Sequence, residues 1–589
     1  KSTVWKNYDI VVFSDKSPCG YVQCKSCKTL LKYDSKKMGS SSLQQHAVKG
    51  CSRPSSSSGA WPTQSYMTSF VQSEKKIPVP KKSEITDKCV TLCCKDIQPF
   101  ETVSGKGFIE LAQELINVGA TYGRVSASSV LPHPSTISRR CCDIAEQKRK
   151  GLIPQINDIL LSNVSVGMTT DIIWQGLAIM SHQTLNLKPV LVTTMFPLEE
   201  AKTSENVRHE LLKLLVNTLG FDPSNLNKVV WVTDQGANIV LALRPYRHLN
   251  CQDHLLNTVL RHGLDSKELT CEVPDVEETI HNAKSLVKYM KQSSLAPQLP
   301  KTVIQMGETR FSTVYLTLNS IQEIYHELHK KLEEHRESYR LENIAPDMLQ
   351  FLVSFLQPFY EAQRELEGDA YPTLNLVILW FEKLKRHCQP LSSDTPVQAA
   401  VRQRHYVWLL KKVEIHDLHK IALFLWPKFN QLRMLSNHER EEVYSEVRML
   451  IKNFTGAEYQ HLQSNIVIVD VNNDVSGPAT APTVAKKALT DFDEWENVHD
   501  DEGLLLHDEV QKYTQKVIME NERDLLNWWK EHNIVYPKLS MLARSVLCIP
   551  ASSSSSKRNF SVAGRTIEQW RSVLKPSTIN SILFLNDVL

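Results

Sequence analysis

The sequence predicts an α+β protein of several domains, and three observations carry this prediction. A pair of cysteines near the start has the spacing of metal ligands. Short β-branched runs between residues 164 and 250 have the character of strands, and amphipathic helical patterns fill most of the remaining chain. With 589 residues the chain is long enough for three or four domains, and its 42% hydrophobic and 23% charged residues are ordinary for globular proteins.

Composition and charge narrow the class of protein. No apolar run reaches eighteen residues, so we expect no membrane partner. The thirteen cysteines are scattered, which favours a reducing compartment over a disulfide framework. Residues 1–150 carry 23 Lys and Arg against 12 Asp and Glu, whereas the rest of the chain carries 45 against 53. This basic front end suits a polyanionic partner, although a solvated basic face gives the same count. The chain begins without Met, as expected of a partial or trimmed sequence.

Residues 1–52 are predicted to form a small zinc-binding domain. Cys24 and Cys27 form a C-x2-C pair, and His46 and Cys51 follow as an H-x4-C pair. Two ligands on a turn and two around a short helix can close a tetrahedral zinc shell, and so small a unit depends on the metal for folding. With the aromatic residues that precede the first cysteine, this spacing resembles a BED-type zinc finger. That family binds DNA, and its usual hosts are nuclear factors and transposases.

Two segments separate this finger from the strand region. Residues 53–83 are rich in Ser, Pro and Lys and are predicted to be a linker. Residues 84–160 show helical patterns, the second of which begins after Pro134 and has a basic flank. This helical unit is either a second DNA-binding domain or a spacer. Its candidate DNA-binding residues are Arg139, Arg140, Lys148, Arg149 and Lys150.

Residues 161–265 are predicted to form a sheet whose strand ends carry acidic residues. The patterns run in the order β-β-β-α-β-α, which is the order of a ribonuclease-H-like fold, where the first and fourth strands are neighbours. Asp171 lies in the first predicted strand and Asp234 ends the fourth, so their carboxylates are expected to converge. Two converging carboxylates suit the Mg²⁺ ions of a phosphoryl-transfer site.

Asp234 has a second interpretation. It follows the β-branched run Val229–Val232, and ligands in open α/β sheets bind at the carboxyl ends of strands. It also stands just before a helical run that starts at Ala237, where an aspartate commonly caps the helix. This stretch alone leaves both interpretations open.

The rest of the chain is predicted to be helical. Residues 266–540 hold too many helical patterns to belong to the sheet and are predicted to be a large all-α insertion. Residues 467–510 interrupt it, and positions 491–510 hold nine Asp and Glu with no Lys or Arg, which predicts a disordered surface loop. Residues 541–589 return to amphipathic patterns that are expected to pack on the sheet or on a partner chain.

Ordered segments along nearly the whole chain resemble the hAT superfamily of DNA transposases, in its Hermes-like branch. Besides the finger and the Trp528-Trp529 pair, the matching segments are PFETVSGKGFIELAQELINVGATYG, WVTDQGANIV, NCQDHLLNTVL, ETRFSTVY, IPASSSSSKRNFSVAG and INSILFLN. So many ordered matches make coincidence a poor explanation.

The resemblance implies an Asp, Asp, Glu triad on a ribonuclease-H-like fold, with a helical insertion before the Glu. Asp171 and Asp234 stand at the first and second acid positions. Cys251 and His254 match the family's C-x2-H pair beside the active site, although a buried cysteine and a core histidine would also explain them. The resemblance further implies a homodimer or larger homo-oligomer, with residues 541–589 as its dimerisation region.

The third acid is where this chain departs from the family. With the flanking residues aligned without a gap, Lys557 stands where the Glu belongs. A lysine cannot bind Mg²⁺ unless it is deprotonated, and at ~4 Å and an effective dielectric of about 20 its repulsion by one unit charge is about 4 kcal/mol, doubled for a divalent ion. Glu568 would lie ~16 Å further along a helix and is a poor substitute. Two lesser departures are Phe311, after Arg310, where the family has a base-stacking Trp, and Trp174, which lies one residue late.

The sequence therefore predicts a hAT-transposase-derived nuclear protein that binds double-stranded DNA, holds Zn²⁺ in its finger, dimerises and lacks strand cleavage. The alternative is an active cut-and-paste transposase that uses Mg²⁺, and position 557 separates the two. A pure protein-interaction scaffold accords poorly with the finger and the basic front end.

Overall fold

The chain is mostly helical with two small sheets in its described part, which makes it an α+β protein of more than one domain. It divides into two units, residues 1–130 and residues 131–589. Of the described helices, none is long and apolar enough to cross a membrane. The computed structural model describes residues 3–12, 18–26, 30–33, 41–46, 77–96, 98–161, 165–173, 176–182, 189–193, 203–218, 222–265, 273–293, 295–307, 312–452, 454, 508–515, 525–558 and 574–588.

The first unit opens with an antiparallel three-stranded sheet and a short helix. The strands pair in the order β1-β2-β3, with Tyr8 opposite Cys24. Tyr8, Val22, Cys24 and Leu43 are buried together, and the Tyr8 hydroxyl donates to the Leu43 carbonyl at 2.8 Å. This bond joins the helix to the sheet. The elements are a 3-10 turn Thr3–Asn7, β1 Tyr8–Val12, β2 Pro18–Cys24, β3 Leu30–Lys32 and α1 Ser41–Gln45.

Helices complete the first unit. The first of them begins at Val79, inside the span predicted to be a linker, because Pro80 is tolerated in a first helical turn. The second ends at Tyr122, and Gly123 follows with φ 78°, the left-handed conformation that glycine adopts readily. The elements are α2 Val79–Lys95, a 3-10 turn Phe100–Ser104, α3 Lys106–Tyr122 and α4 Ala127–Val130.

The apolar face of α3 is largely uncovered within this unit. The sequence pattern puts Phe108, Leu111, Leu115 and Ile116 on one side of the helix, as expected for a face against a core. Phe108 and Leu115 are half-buried, but Leu111 is 50% exposed and Ile116 is 63% exposed. The sequence thus has the periodicity of an amphipathic helix, but the described residues of this unit do not bury the apolar face of α3.

The second unit is built on a five-stranded sheet with strand order β6-β5-β4-β7-β8. β4 runs parallel to β7, which runs parallel to β8, and β5 and β6 continue antiparallel on the other side. The observed elements reproduce the predicted order of strands and helices. They are α5 Pro134–Leu161, β4 Val166–Ile173, β5 Gly176–His182, β6 Pro189–Thr193, α6 Ser204–Lys213, a π-turn Leu214–Thr218, a 3-10 turn Pro223–Lys228, β7 Val229–Thr233, α7 Ala237–Leu243, β8 Arg247–Asn250 and α8 Gln252–Gly263.

Strand β7 is buried on both faces, which explains its continuous apolar sequence. Because side chains alternate along a strand, Val229 and Trp231 face one way, whereas Val230 and Val232 face the other. The first pair packs with α6 and α7, and the second pair belongs to the core of the helical region. β7 therefore connects the two cores of this unit.

Within residues 273–452, 508–515 and 525–547, the described elements are all helical, as predicted for the insertion. One hydrophobic core runs through them and includes Trp380, Phe355 and Trp529. Most of the predicted acidic loop lies outside the described residues. The helices are α9 Pro274–Gln292, α10 Ser312–Glu323, α11 Tyr325–Glu334, α12 Tyr339–Glu342, α13 Pro346–Leu366, α14 Val377–His387, α15 Pro396–Lys412, α16 Asp417–Phe424, α17 Asn437–Lys452, α18 Glu509–Gln515, α19 Leu525–Glu531, α20 Pro537–Leu547 and α21 Pro576–Val588, with 3-10 turns at Ala296–Gln298, Leu374–Leu376 and Pro427–Phe429.

Candidate functional site

The carboxyl ends of β4 and β7 lie side by side. The two strands pair in parallel up to Thr169 opposite Val232. Counted two residues further in the same register, Asp171 of β4 is level with Asp234, which directly follows the last residue of β7. The backbone thus places the two predicted acids at one edge of the sheet, the edge at which open α/β sheets bind ligands.

Asp234 does not cap the helix that follows it. Gly236 holds the N-cap position of α7 and makes no side-chain cap bond. Asp234 lies two residues earlier, where its Oδ1 accepts a hydrogen bond from the Gly236 amide at 3.2 Å. The interpretation of Asp234 as a helix cap is therefore wrong, because its carboxylate closes the turn between strand and helix instead. Its half-buried side chain stays at the strand end.

The start of α8 adds the predicted Cys251 and His254 to this edge. The Cys251 amide donates to the Thr233 carbonyl at 2.7 Å, which connects α8 to the end of β7. Cys251 is fully buried, and burial raises the pKa of its thiol. His254 is half-buried, and its pKa is lowered first by burial and then by the positive charge of Lys557, against the opposing charges of Asp234 and Asp253. Burial and the charge of Lys557 thus favour the neutral form of the His254 imidazole.

A buried run of five serines, residues 552–556, forms the other wall of the site. We call residues 551–558 the serine turn. Its backbone contacts α8 twice, since the Gln252 amide donates to the Ala551 carbonyl at 2.9 Å and the Ser553 amide donates to the Cys251 sulfur at 3.2 Å. On the sheet side, the Ser556 and Thr169 hydroxyls are 2.8 Å apart in a hydrogen bond. The serine turn is therefore fixed to both β4 and α8.

The helical insertion holds the serine turn from the third side. Asp369 accepts a hydrogen bond from Ser555 at 2.5 Å and pairs with Arg558. The Asp253 carboxylate of α8 accepts hydrogen bonds from the Gln363 side-chain amide of α13 at 2.8 Å and from the Ser554 hydroxyl at 3.4 Å. Sequence reasoning missed these supporting residues. Asp253 stands between the two residues that the resemblance singled out, but no local pattern indicates its partner 110 positions away.

Gly167 allows the chain just before the serine turn, at Cys548 and Ile549, to approach the sheet closely. A Cβ at this position of β4 would lie 2.6 Å from the Cys548 carbonyl oxygen and 2.8 Å from the Ile549 Cα. Both are backbone atoms, so neither can rotate away. A glycine inside a strand commonly marks such an approach of another backbone.

Lys557 is the next to last residue of the serine turn. It follows Ser556 directly and is half-buried. Its side chain lies within electrostatic range of Cys251 and His254. Mg²⁺ binds oxygen ligands such as carboxylates and water, and a neighbouring ammonium group repels it. The residues of this chain therefore do not match the donor set of a two-metal phosphoryl-transfer site.

The finger residues that the structure describes accord with a zinc site. Cys24 is buried at the end of β2, opposite Tyr8, and the rings of Tyr8 and His46 are 6.2 Å apart between centroids. The candidate ligands Cys24 and His46 thus both lie near Tyr8 in this small core. Cys27 and Cys51 lie outside the described residues. Among the residues that are described, no group of three or more His, Cys, Asp or Glu side chains forms a metal cluster.

Four of the five basic candidates on α5 are exposed, and the fifth is turned inward. Arg149 donates to the Asn580 carbonyl at 3.3 Å, and its guanidinium lies 4.4 Å from the centre of the Phe584 ring. Burial lowers its pKa. Arg149 therefore packs α21 onto α5 rather than facing a ligand. The exposed members are Arg139, Arg140, Lys148 and Lys150, the last in an ion pair with Glu146 at 2.7 Å.

Four more residues discussed from the sequence lie outside the described part of the chain. They are Arg310 and Phe311, which align with the base-stacking segment of the family, Trp174, and Glu568, the rejected substitute for the third acid. Asp171 is described in its backbone, which fixes its register opposite Ala178 of β5.

Comparison with known proteins identifies two regions of this chain. Residues 72–136 match the Hermes transposase DNA-binding domain, and residues 509–589 match the hAT family C-terminal dimerisation region. The chain is thus a transposase-type protein with a DNA-binding and a dimerisation domain. More narrowly, these two matches support a relationship to hAT-family transposases. The DNA-binding match ends at residue 136, so the basic residues of α5 lie beyond it.

Similarity to individual proteins extends over most of the chain. It is 26% identical to the transposable element Hobo transposase of Drosophila melanogaster over 614 residues, which cover 95% of this chain and 88% of that protein. It is 21% identical to zinc finger protein 618 of Mus musculus over 538 residues, 88% of this chain and 52% of that protein. It is 22% identical to zinc finger BED domain-containing protein RICESLEEPER 2 of Oryza sativa subsp. japonica over 377 residues, 58% of this chain and 50% of that protein. The chain thus spans about half the length of the last two.

Proposed function

We propose that this chain is a nuclear, hAT-transposase-derived protein that binds double-stranded DNA and associates with a second copy of itself without cutting DNA strands. A Zn²⁺ ion held by Cys24, Cys27, His46 and Cys51 stabilises its finger. The domain matches support DNA binding and dimerisation. The order β6-β5-β4-β7-β8 of the larger sheet supports a ribonuclease-H-like core.

The proposed absence of strand cleavage rests on Lys557, which aligns with the third acid of the triad. The serine turn holds this residue beside Cys251 and His254, next to the strand ends at which Asp171 and Asp234 stand. A two-metal reaction needs negative ligands around its cations, because the ions must stabilise both the attacking and the leaving oxygen. An ammonium in that place opposes the cations and leaves the acid pair without a third ligand.

A nicking assay on supercoiled plasmid DNA with Mg²⁺ or Mn²⁺ tests this proposal. We expect the purified chain to leave the plasmid intact, and Lys557→Glu to introduce nicks. Asp234→Asn in the Lys557→Glu background is the control for contaminating nuclease. Nicking by the unmodified chain that Asp234→Asn abolishes would instead establish the active, Mg²⁺-dependent transposase.

DNA binding and self-association are tested separately. The affinity for a duplex should fall as salt rises, with a slope set by the number of phosphates contacted. Replacing Arg139, Arg140, Lys148 and Lys150 by alanine should reduce that slope if α5 touches the backbone, whereas Lys284→Ala, an exposed change on α9, should not. Light scattering of the full chain should give at least twice the 67.2 kDa of one copy. A monomer at micromolar concentration would contradict the dimer.

A further inference from the structure

The edge of the sheet at Asp234 concentrates negative charge in a partly buried place. Asp234 is half-buried, Asp253 is 8% exposed, and Asp171 is level with Asp234 in register. Carboxylates that share a site repel one another, and burial increases the cost of each charge. An arrangement of this kind needs a positive charge nearby.

The fold supplies that charge through the serine turn. Ser556 is bonded to Thr169, two residues before Asp171 on β4, and Ser553 is bonded to Cys251 at the start of α8. Hydrogen bonds on both sides therefore hold the serine turn, and with it residue 557, between β4 and the start of α8. The turn has little freedom to move, because all five of its serines are buried.

We propose that the ammonium group of Lys557 is the resident cation of this carboxylate site, in place of a divalent metal ion. This inference rests on the proposed function only in assigning position 557 to the acid site. Lys557, Asp234 and Asp253 all lie within electrostatic range of His254, at the start of α8. A divalent ion entering this site would have to displace the ammonium.

Two consequences distinguish this arrangement from a merely damaged metal site. The unmodified chain should bind no divalent ion at Asp234. Removal of the ammonium should leave the carboxylates without a neighbouring cation. The chain should then be less stable in the absence of divalent metal and should gain stability from Mg²⁺ or Mn²⁺. Lys557→Glu should show both effects strongly, and Lys557→Gln, which only removes the charge, should show them weakly.

Thermal unfolding of the full chain in metal-depleted buffer, followed by titration with MgCl₂, measures the second consequence. No chelator is added, because it would strip zinc from the finger. We expect Lys557→Glu to melt lower than the unmodified chain and to recover by about 2–4 °C or more on Mg²⁺ addition. Lys284→Glu, the same charge change on an exposed lysine of α9, should show neither effect. Equal melting of Lys557→Glu and the unmodified chain at every Mg²⁺ concentration would overturn the proposal.

Mn²⁺ counting by electron paramagnetic resonance measures the first consequence and does not depend on the folding of any position-557 variant. The unmodified chain and Asp234→Asn should bind the same amount of Mn²⁺. One equivalent bound by the unmodified chain and lost in Asp234→Asn would refute the resident ammonium. A chain that binds this Mn²⁺ but fails to nick plasmid would refute only this inference, whereas plasmid nicking by the unmodified chain would refute the proposed function.

Discussion

The hydroxyls of Thr169 and Ser556 are 2.8 Å apart in a buried hydrogen bond, although 387 positions separate them in sequence. Thr169 lies in the first strand of the larger sheet, and Ser556 lies in the serine turn after the helical insertion. This bond joins the two parts of the acid site that the insertion divides. The position of Lys557 depends on it directly.

Breaking this bond from either side should loosen the serine turn. Thr169→Val and Ser556→Ala each leave one buried hydroxyl without its partner, and such a loss costs about 1–3 kcal/mol. The double variant should cost less than the sum of the two, because it leaves no unpaired hydroxyl. Hydrogen exchange of peptides from β4 and from residues 551–558 measures the local opening free energy.

Thr170 is a matched control for this prediction. It is the next residue of β4 and equally buried, but its hydroxyl has no hydrogen-bond partner among the described residues. Thr170→Val should therefore leave the local stability unchanged or raise it. If Thr169→Val behaved like Thr170→Val, the bond between strand and turn would contribute nothing.

The contact of Gly167 with the segment before the serine turn leads to a second prediction. An alanine methyl would lie 2.6 Å from the Cys548 carbonyl oxygen, so the two backbones would have to separate. Overpacking of this kind costs about 1–3 kcal/mol, and we expect Gly167→Ala to lower the melting temperature and to increase exchange in residues 551–558. Gly107→Ala, whose new methyl meets nothing within 4 Å in α3, should not destabilise the chain.

The order of strands could be predicted from the sequence because a buried strand requires a run of apolar, mostly β-branched residues. Val229–Val232 is a continuous β-branched and aromatic run, and the observed strand Val229–Thr233 differs from it by one residue. The helical run predicted from Ala237 is also confirmed, since α7 begins at that residue. Only the cap was assigned wrongly, because Gly236 rather than Asp234 holds the N-cap position, and side-chain type alone does not reveal this.

Contacts between distant polar groups could not be predicted in the same way. Asp253 meets Gln363 of α13, and Ser555 meets Asp369, because the folded backbone brings them together. Any exposed acid in the chain has the same local sequence properties. The inward position of Arg149 is a further example, since four neighbouring basic residues on the same helix stay exposed.

A third prediction concerns zinc. Cys24→Ser should remove one equivalent of bound zinc, because a serine hydroxyl is a poor zinc ligand and the finger core around Tyr8 is small. Duplex affinity should fall with it. Metal analysis by mass spectrometry gives the zinc content, and Cys89→Ser in α2 is the control, as a cysteine outside the motif. Unchanged zinc in Cys24→Ser would exclude the proposed ligand set.

A fourth prediction concerns Glu509, at the start of the dimerisation region, whose contact with α20 is expected to depend on pH. Its carboxyl accepts a hydrogen bond from the Lys538 amide at 3.1 Å, at the start of α20, yet burial raises its pKa to about 7. In the unfolded chain the group has its ordinary pKa of 4.5, so between these values the folded state binds more protons. The stabilisation is complete below pH 4.5 and is lost as the pH rises through 7. The loss should be smaller than ~1.4 kcal/mol per pKa unit, because the side chain is partly solvated.

Glu509→Gln should remove this dependence while keeping an oxygen acceptor for the α20 amides. Hydrogen exchange of peptides spanning residues 509–547, compared between the variant and the unmodified chain at each pH from 5 to 8, isolates the effect of this one group. Protection in the unmodified chain should fall relative to the variant as the pH rises. A constant difference across the range would mean that Glu509 keeps its ordinary pKa. The opposite slope would mean that the Lys538 and Leu539 amides stabilise the charged form more than burial opposes it.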